Sequence, residues 1–307
     1  MKIIEKGLGC EIIASYGDTL LDCDRLIVVE QVQHSGYVIF KNFTPTQEEF
    51  EDFTNLFGIC AETRHVHYPS SGEALGFHAE DAYNPYRPDT LWFFCAYEGS
   101  DGGIPTGVVD GIALFNQLPD KWKNFCRTQK LQFNRQWASS VWLTSDQSYN
   151  QIDLQSVLDS IPGIESKFLS DQSIYIGYQA PIVTRTIEGH ESFANSILQA
   201  ISDPDFYGIA LSDGSNIPLE LITLIEELSL INETSVGWST GDIAVIDNLR
   251  MMHRRSSYNQ IDRDLRARHG ENFFGSQLPE TRSHIEGWVK KLIQGDIALP
   301  TRVGRPI

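Results

Sequence analysis

Cations are scarce in this 307-residue chain: 24 Lys and Arg stand against 41 Asp and Glu, a formal charge of −17. The arginines cluster only between residues 250 and 268. A surface that tracks nucleic acid works by releasing condensed counterions to grouped cations, so nucleic-acid binding is excluded as the main activity. An anionic membrane surface would repel the chain as well. Long apolar runs are missing too. No stretch approaches the roughly 18 apolar residues of a membrane span, and the opening Met1-Lys2-Ile3-Ile4-Glu5-Lys6 lacks the apolar core of a secretory signal. Cysteine is sparse and unpaired: Cys10, Cys23, Cys60, Cys95 and Cys126 form no C-x-x-C clasp. An odd number among apolar neighbours suits buried thiols in a reducing compartment, and the cytoplasm is the expected location. A Gly-rich phosphate loop and a G-x-S-x-G elbow are both absent.

What is present is the composition of a folded globular protein, 41% hydrophobic and 11% aromatic. With no repeat or linker in evidence, residues 1–307 are expected to form one domain, the stretch around 120–170 being read as a lid or insertion. GYVIFKNF (36–43) alternates as a strand does. Thr46-x-x-Glu49 then supplies a capping box for a helix carrying Phe50, Phe53, Leu56 and Phe57, stopped by Gly58. Leu221, Leu224, Ile225 and Leu228 mark a second helix. Residues 90–97, 173–179 and 241–247 read as strands. The expected class is mainly β with α, a β-sandwich or barrel carrying helical additions.

Among the eight histidines, two have unusual company. His78-Ala79-Glu80 sets an imidazole and a carboxylate two residues apart, on one face of an extended segment. His253 lies just beyond the apolar run GDIAVIDNLRMM. Two imidazoles and one carboxylate on a face of an octahedral ion leave three adjacent positions open, which suits a non-haem Fe(II) centre that activates O2. A chelating cosubstrate would fill two, and its far carboxylate would need a fixed, two-pronged arginine. Arg263, Arg266 and Arg268 follow His253 closely enough to supply it. The rival pair His65-Val66-His67 has the same spacing but no carboxylate at strand spacing, and reads as structural or as lining a pocket mouth. QWASSVW (136–142) is a candidate pocket wall or lid, with ordinary core as the equal alternative.

The order of these parts resembles the Fe(II)/2-oxoglutarate oxygenases of the taurine dioxygenase and clavaminate synthase-like superfamily, from about residue 36 to 268. LGFHAEDAYNPYRPDTLWFFCAYEGSDGGIPTGVVDG is similar to the first-ligand segment and Gly-Gly-x-Thr region, and WSTGDIAVIDNLRMMHRR to the W-x-x-G-D-x-x-x-x-D-N-x-x-x-x-H-x-R signature. The resemblance implies a double-stranded β-helix, or jelly-roll, core with flanking helices. It implies His78, Glu80 and His253 as iron ligands, with Thr106 and Arg263 on the 2-oxoglutarate carboxylate. Arg263 fits the R-x-L pattern while Arg266 and Arg268 stand as candidates; Asp247 and Asn248 match a corner that holds the distal-ligand strand. Gly102-Gly103-Ile104-Pro105-Thr106 is one residue longer than the usual run, and Ala267 stands where many relatives carry a second, substrate-gripping arginine.

The activity implied is hydroxylation or desaturation of a small metabolite, with 2-oxoglutarate and O2 converted to succinate and CO2. Halogenating relatives have Gly or Ala in place of the acid, so Glu80 disfavours chlorination. Glu in place of the commoner Asp points to an amino-acid-derived substrate, and the WFFC and VVDG segments to natural-product tailoring. The alternatives are a non-catalytic jelly-roll binding protein, which would not need Glu80, and a zinc-dependent hydrolase on the same ligands, which would not need the arginine.

Overall fold

The computed structural model describes residues 1–66, 72–100, 104–142, 150–202, 208–258, 262–275, 289 and 292. The strand Thr90–Tyr97 shows how the sheets are built. Period-two alternation sends Leu91, Phe93 and Cys95 to one face and Trp92 and Phe94 to the other, and all five are buried. Its neighbour Ile243–Asp247 divides in the same way, Ala244 and Ile246 against Ile243 and Val245. Both lie in the middle of a sheet ordered Lys2–Glu5, Cys10–Ile13, Tyr37–Lys41, Ile243–Asp247, Thr90–Tyr97, Asp264–Glu271 and Ile59–Cys60, with Arg64–His65 also pairing with Asp264–Glu271. Its pairs are antiparallel except Cys10–Ile13 with Tyr37–Lys41.

A smaller sheet, ordered Thr234–Val236, Thr106–Asp110, Met251–Arg255 and Leu75–His78, stacks on the first. Val108, Val236 and Met251 from its inner face share a core with Ile39, Leu91 and Phe93. The far side of the large sheet is covered by the helices Arg25–Ser35 and Gln47–Asn55, whose Val28, Val32, Phe50 and Phe53 pack on Phe40 and Trp92. The far side of the smaller sheet presents Phe77, Val109 and Met252 to Gly111–Gln117, Asp120–Thr128, Ile197–Ser202 and Leu219–Ile231. The fold is therefore mainly β, with helices outside both sheets.

A third sheet, ordered Ile164–Phe168, Ile174–Pro181, Lys130–Trp137 and Gly208–Leu211, is built from chain lying between two strands of the sandwich, Thr106–Asp110 and Thr234–Val236. The helix Gln151–Asp159 closes one end of it through Leu154 and Leu158. Val141 and Trp142 are buried in that same cluster, so this end of QWASSVW is core.

Local expectations from the sequence are met where chemistry is local. Thr46 accepts the Glu49 N–H and Glu49 accepts the Thr46 N–H, the capping box that starts Gln47–Asn55. Beyond its end, a Cβ at Gly58 would lie 2.3 Å from the Glu271 carbonyl oxygen, so only glycine lets the two segments pass. No helix among the described residues is long and apolar enough to cross a membrane.

Candidate metal centre

Antiparallel pairing of Leu75–His78 with Met251–Arg255 makes His78 and His253 register partners, with ring centroids 4.2 Å apart. Glu80 follows in the next turn. Its Oε2 lies 3.7 Å from Nε2 of each histidine, and one donor atom from each of the three residues falls within 4.8 Å of the others. Cis donors around an ion bound at about 2.1 Å stand about 3 Å apart, so small side-chain rotations close this set. His65 instead sits exposed on an edge strand with Nδ1 2.9 Å from Asp264 Oδ1; His67 lies outside the described residues.

The groups are held in the states a metal needs. His78 Nδ1–H donates to the Gly76 carbonyl at 2.8 Å, which turns the Nε2 lone pair inward. Burial, reinforced by the neighbouring His78 and opposed by Glu80, pushes the His253 pKa down to about 3, leaving a neutral ring. Burial alone would raise Glu80, but the neighbouring His269 and His78 imidazoles outweigh it and hold the carboxyl well below its usual range. Donor set, charge and burial together fit a ferrous ion.

The backbone around the carboxylate is fixed from two sides. The Ala79 N–H donates to Asn195 O at 3.0 Å and its carbonyl accepts the Ser196 hydroxyl at 2.8 Å. Asn248 accepts the Glu80 N–H at 2.7 Å and donates to the Glu80 carbonyl at 2.9 Å. Asn248 thus secures the segment that carries His78 and Glu80, whereas the sequence pattern assigns it to the strand of His253. Asp81 then turns the chain with φ 55°, in the left-handed region that aspartate tolerates.

One residue of the site went unassigned in the sequence. His269 places Nε2 3.5 Å from Glu80 Oε1 and Nδ1 3.5 Å from Asp81 Oδ2. Burial would lower its pKa, but hydrogen bonding to Glu80 and the charges of Glu80 and Asp81 raise it. The alternation of Asp264–Glu271 holds the signal: Leu265 and Ala267 face the sandwich core, and His269 is the next position on that side.

The same alternation sorts the arginines. Arg266 pairs with Asp264 at 2.7 Å and donates to the Gln47 side chain, so it faces the helix Gln47–Asn55 and not the triad. Arg268 also faces that helix, donating to Glu51 O at 3.0 Å and Ala61 O at 2.9 Å. This corrects the expectation that Arg266 shares the cofactor site. Arg263 precedes the strand, is buried, and donates to the carbonyl of Ile104, two residues before Thr106. Thr106 lies two positions from Val108, the register partner of His253, on the same inner face; its hydroxyl accepts the Trp238 indole N–H at 3.0 Å. Gly102 and Gly103 lie outside the described residues.

Comparison with known proteins decides the lineage of this arrangement. The profile of the family described as "Taurine catabolism dioxygenase TauD, TfdA family" matches residues 14–269. The chain belongs to the TauD, TfdA family. It is therefore a 2-oxoglutarate-dependent dioxygenase whose cofactors are Fe(II) and 2-oxoglutarate. Within reach of this TauD, TfdA member is a clavaminate synthase-like protein of Arabidopsis thaliana, 21% identical over 280 residues, covering 74% of this chain and 79% of the relative. Similar solved structures include PvcB of Pseudomonas aeruginosa, with TM-score 0.60, 12% identity and 86% of each chain covered. PvcB is described as an Fe, alpha-ketoglutarate dependent oxygenase from an isonitrile synthetic pathway. Another is AAD-2, solved with Mn(II) and N-oxalylglycine, with TM-score 0.58, 15% identity, and coverage of 92% of this chain and 100% of that one.

Proposed function

We propose that this dioxygenase hydroxylates or desaturates a small, amino-acid-derived metabolite as a natural-product tailoring enzyme in the cytoplasm, with His78, Glu80 and His253 as the iron ligands. The observation that carries the ligand assignment is the single carboxylate oxygen, Glu80 Oε2, poised 3.7 Å from both imidazole nitrogens. An acid in that place fills the position that a halide would need, which favours hydrogen abstraction without halogenation. The double-stranded β-helix reading is supported by the two stacked, mainly antiparallel sheets, and residues 1–307 are taken as one oxygenase domain.

The chemistry that Fe(II) and 2-oxoglutarate supply here is oxidation of an unactivated C–H bond, coupled to formation of succinate and CO2. The protein's part is to bind and orient. Thr106 and Arg263 are assigned to the far carboxylate of 2-oxoglutarate, since both are buried and Arg263 donates to Ile104 O beside Thr106. Phe93, edge-on to His253 at 5.8 Å between centroids, and Trp238 wall the inner side against water. Residues 120–170 supply two strands of the third sheet, which reaches the ligand turn through Tyr83 against Phe133 at 6.4 Å. That contact supports a role for the segment as wall or lid over the substrate. A biosynthetic role draws its support from the likeness to PvcB and to the clavaminate synthase-like relative.

The test is anaerobic addition of Fe(II) and 2-oxoglutarate to the purified chain. A weak visible charge-transfer band, followed by succinate on admitting O2 with amino-acid-derived candidates, is the expected result. Glu80→Ala abolishes product formation; product formed at the native rate by that variant refutes the ligand assignment.

A further inference from the structure

The two oxygens of Glu80 face different partners. Oε2 looks toward His78 and His253 at 3.7 Å, while Oε1 looks toward Nε2 of His269 at 3.5 Å. His269 is itself braced, with Nδ1 3.5 Å from Oδ2 of the buried Asp81. Asp81 is the residue after Glu80 and has a left-handed backbone, φ 55°. The imidazole thus stands between two consecutive carboxylates, on a strand of the opposite sheet from His78 and His253.

We infer that His269 is a positioning residue that holds Oε1 of Glu80 away from the metal and keeps the carboxylate a one-oxygen ligand. The inference rests on the ligand assignment proposed above. A carboxylate free to rotate can grip an ion through both oxygens, and the second oxygen then occupies one of the three positions that the cosubstrate and O2 require. An N–H donor on Oε1 removes that option and fixes the carboxylate plane. Outer hydrogen bonds of this kind typically change metal affinity 10–100-fold when lost. The geometry also explains why a histidine stands here in a strand whose neighbouring inward positions, Leu265 and Ala267, are apolar.

The experiment compares wild type, His269→Leu, His269→Gln, His269→Asn and Glu80→Ala by anaerobic Co(II) titration, read from the visible d–d spectrum, and by the Fe(II)·2-oxoglutarate charge-transfer band. Leu removes the donor; Gln carries an amide N–H that reaches Oε1; the Asn amide is too short to do so. Expected are about a 10–100-fold weaker Co(II) affinity and a displaced charge-transfer band for Leu and Asn, with Gln within a few-fold of wild type. Equal affinities and unshifted spectra across the His269 series overturn the inference. So does equal impairment of all three, which would mark the ring as packing only. If the Leu chain fails to fold, the Gln and Asn pair decides alone. A wild type whose Co(II) binding is untouched by Glu80→Ala overturns the ligand assignment as well, whereas binding that is lost in Glu80→Ala but indifferent to His269 overturns only this inference.

Discussion

Asn248 grips the main chain of Glu80 at both ends, taking its N–H at 2.7 Å and giving to its carbonyl at 2.9 Å across 168 residues of sequence. A further donor bond to Pro88 O at 2.9 Å fixes the same amide. The carboxylate is thereby placed by a side chain lying between the strands Ile243–Asp247 and Met251–Arg255.

Replacing Asn248 by Ala strands a buried N–H and two carbonyls. Each such group costs about 1–3 kcal/mol, so urea unfolding is expected to show a loss of several kcal/mol together with weaker metal binding. Asn248→Asp keeps the acceptor and loses the donor bonds, and is expected to fall between. Wild-type stability in the Ala variant would show that the bracket carries no load.

Asp247 gives stability a pH dependence. Burial outweighs the Leu249 N–H and the nearby Arg250 and Arg87, raising its pKa to about 7 in the folded chain. The folded state therefore holds a proton that the unfolded chain releases near 3.8. Stability from this group is full below that lower value, falls as pH rises toward about 7, and is flat beyond. Asp247→Asn removes the slope, so its unfolding free energy is expected to gain on wild type between pH 5 and pH 8. Parallel profiles for the two proteins would contradict the assignment.

Arg263 and Arg268 are expected to separate by function. Arg268→Ala loses bonds to the Glu51 and Ala61 carbonyls and is expected to cost about 2–4 kcal/mol of stability, with 2-oxoglutarate KM unchanged in the folded fraction. Arg263→Ala is expected to raise that KM by at least about tenfold, since a charged hydrogen bond contributes about 1.5–3 kcal/mol. Steady-state kinetics with each variant decides; a KM effect in Arg268→Ala alone reverses the roles.

Trp238→Phe keeps the ring and deletes the N–H that Thr106 accepts at 3.0 Å. The freed hydroxyl must find another donor, so a KM for 2-oxoglutarate altered a few-fold, with kcat nearly constant, is the expected pattern. An unchanged KM would place Thr106 outside the cosubstrate contact.

Much of this was legible because the determinants are local. The capping box at Thr46, the alternation of Thr90–Tyr97 and the spacing of His78 and Glu80 each lie within a few residues of chain. What escaped depends on faces and partners. Arg266 and His269 sit three positions apart on one strand, so alternation sends them opposite ways, but which way faces the triad follows only from the contact of Leu265 and Ala267 with the sandwich core. The third sheet was hidden for the same reason: Lys130–Trp137 mixes Gln, Asn and Arg with apolar residues, and its place follows from partners more than 30 residues away. The bracketing role of Asn248 is a contact between distant turns, which no periodicity records.

Under the ligand assignment proposed above, the rung-to-rung meeting of the two imidazoles would make ferrous loading a proof-reader of assembly. A ladder slipped by one residue between Leu75–His78 and Met251–Arg255 would keep its hydrogen bonds yet turn one ring outward. Such a chain would resemble the finished enzyme in outline while having no grip on iron, so metal retention sorts correctly zipped molecules from near misses.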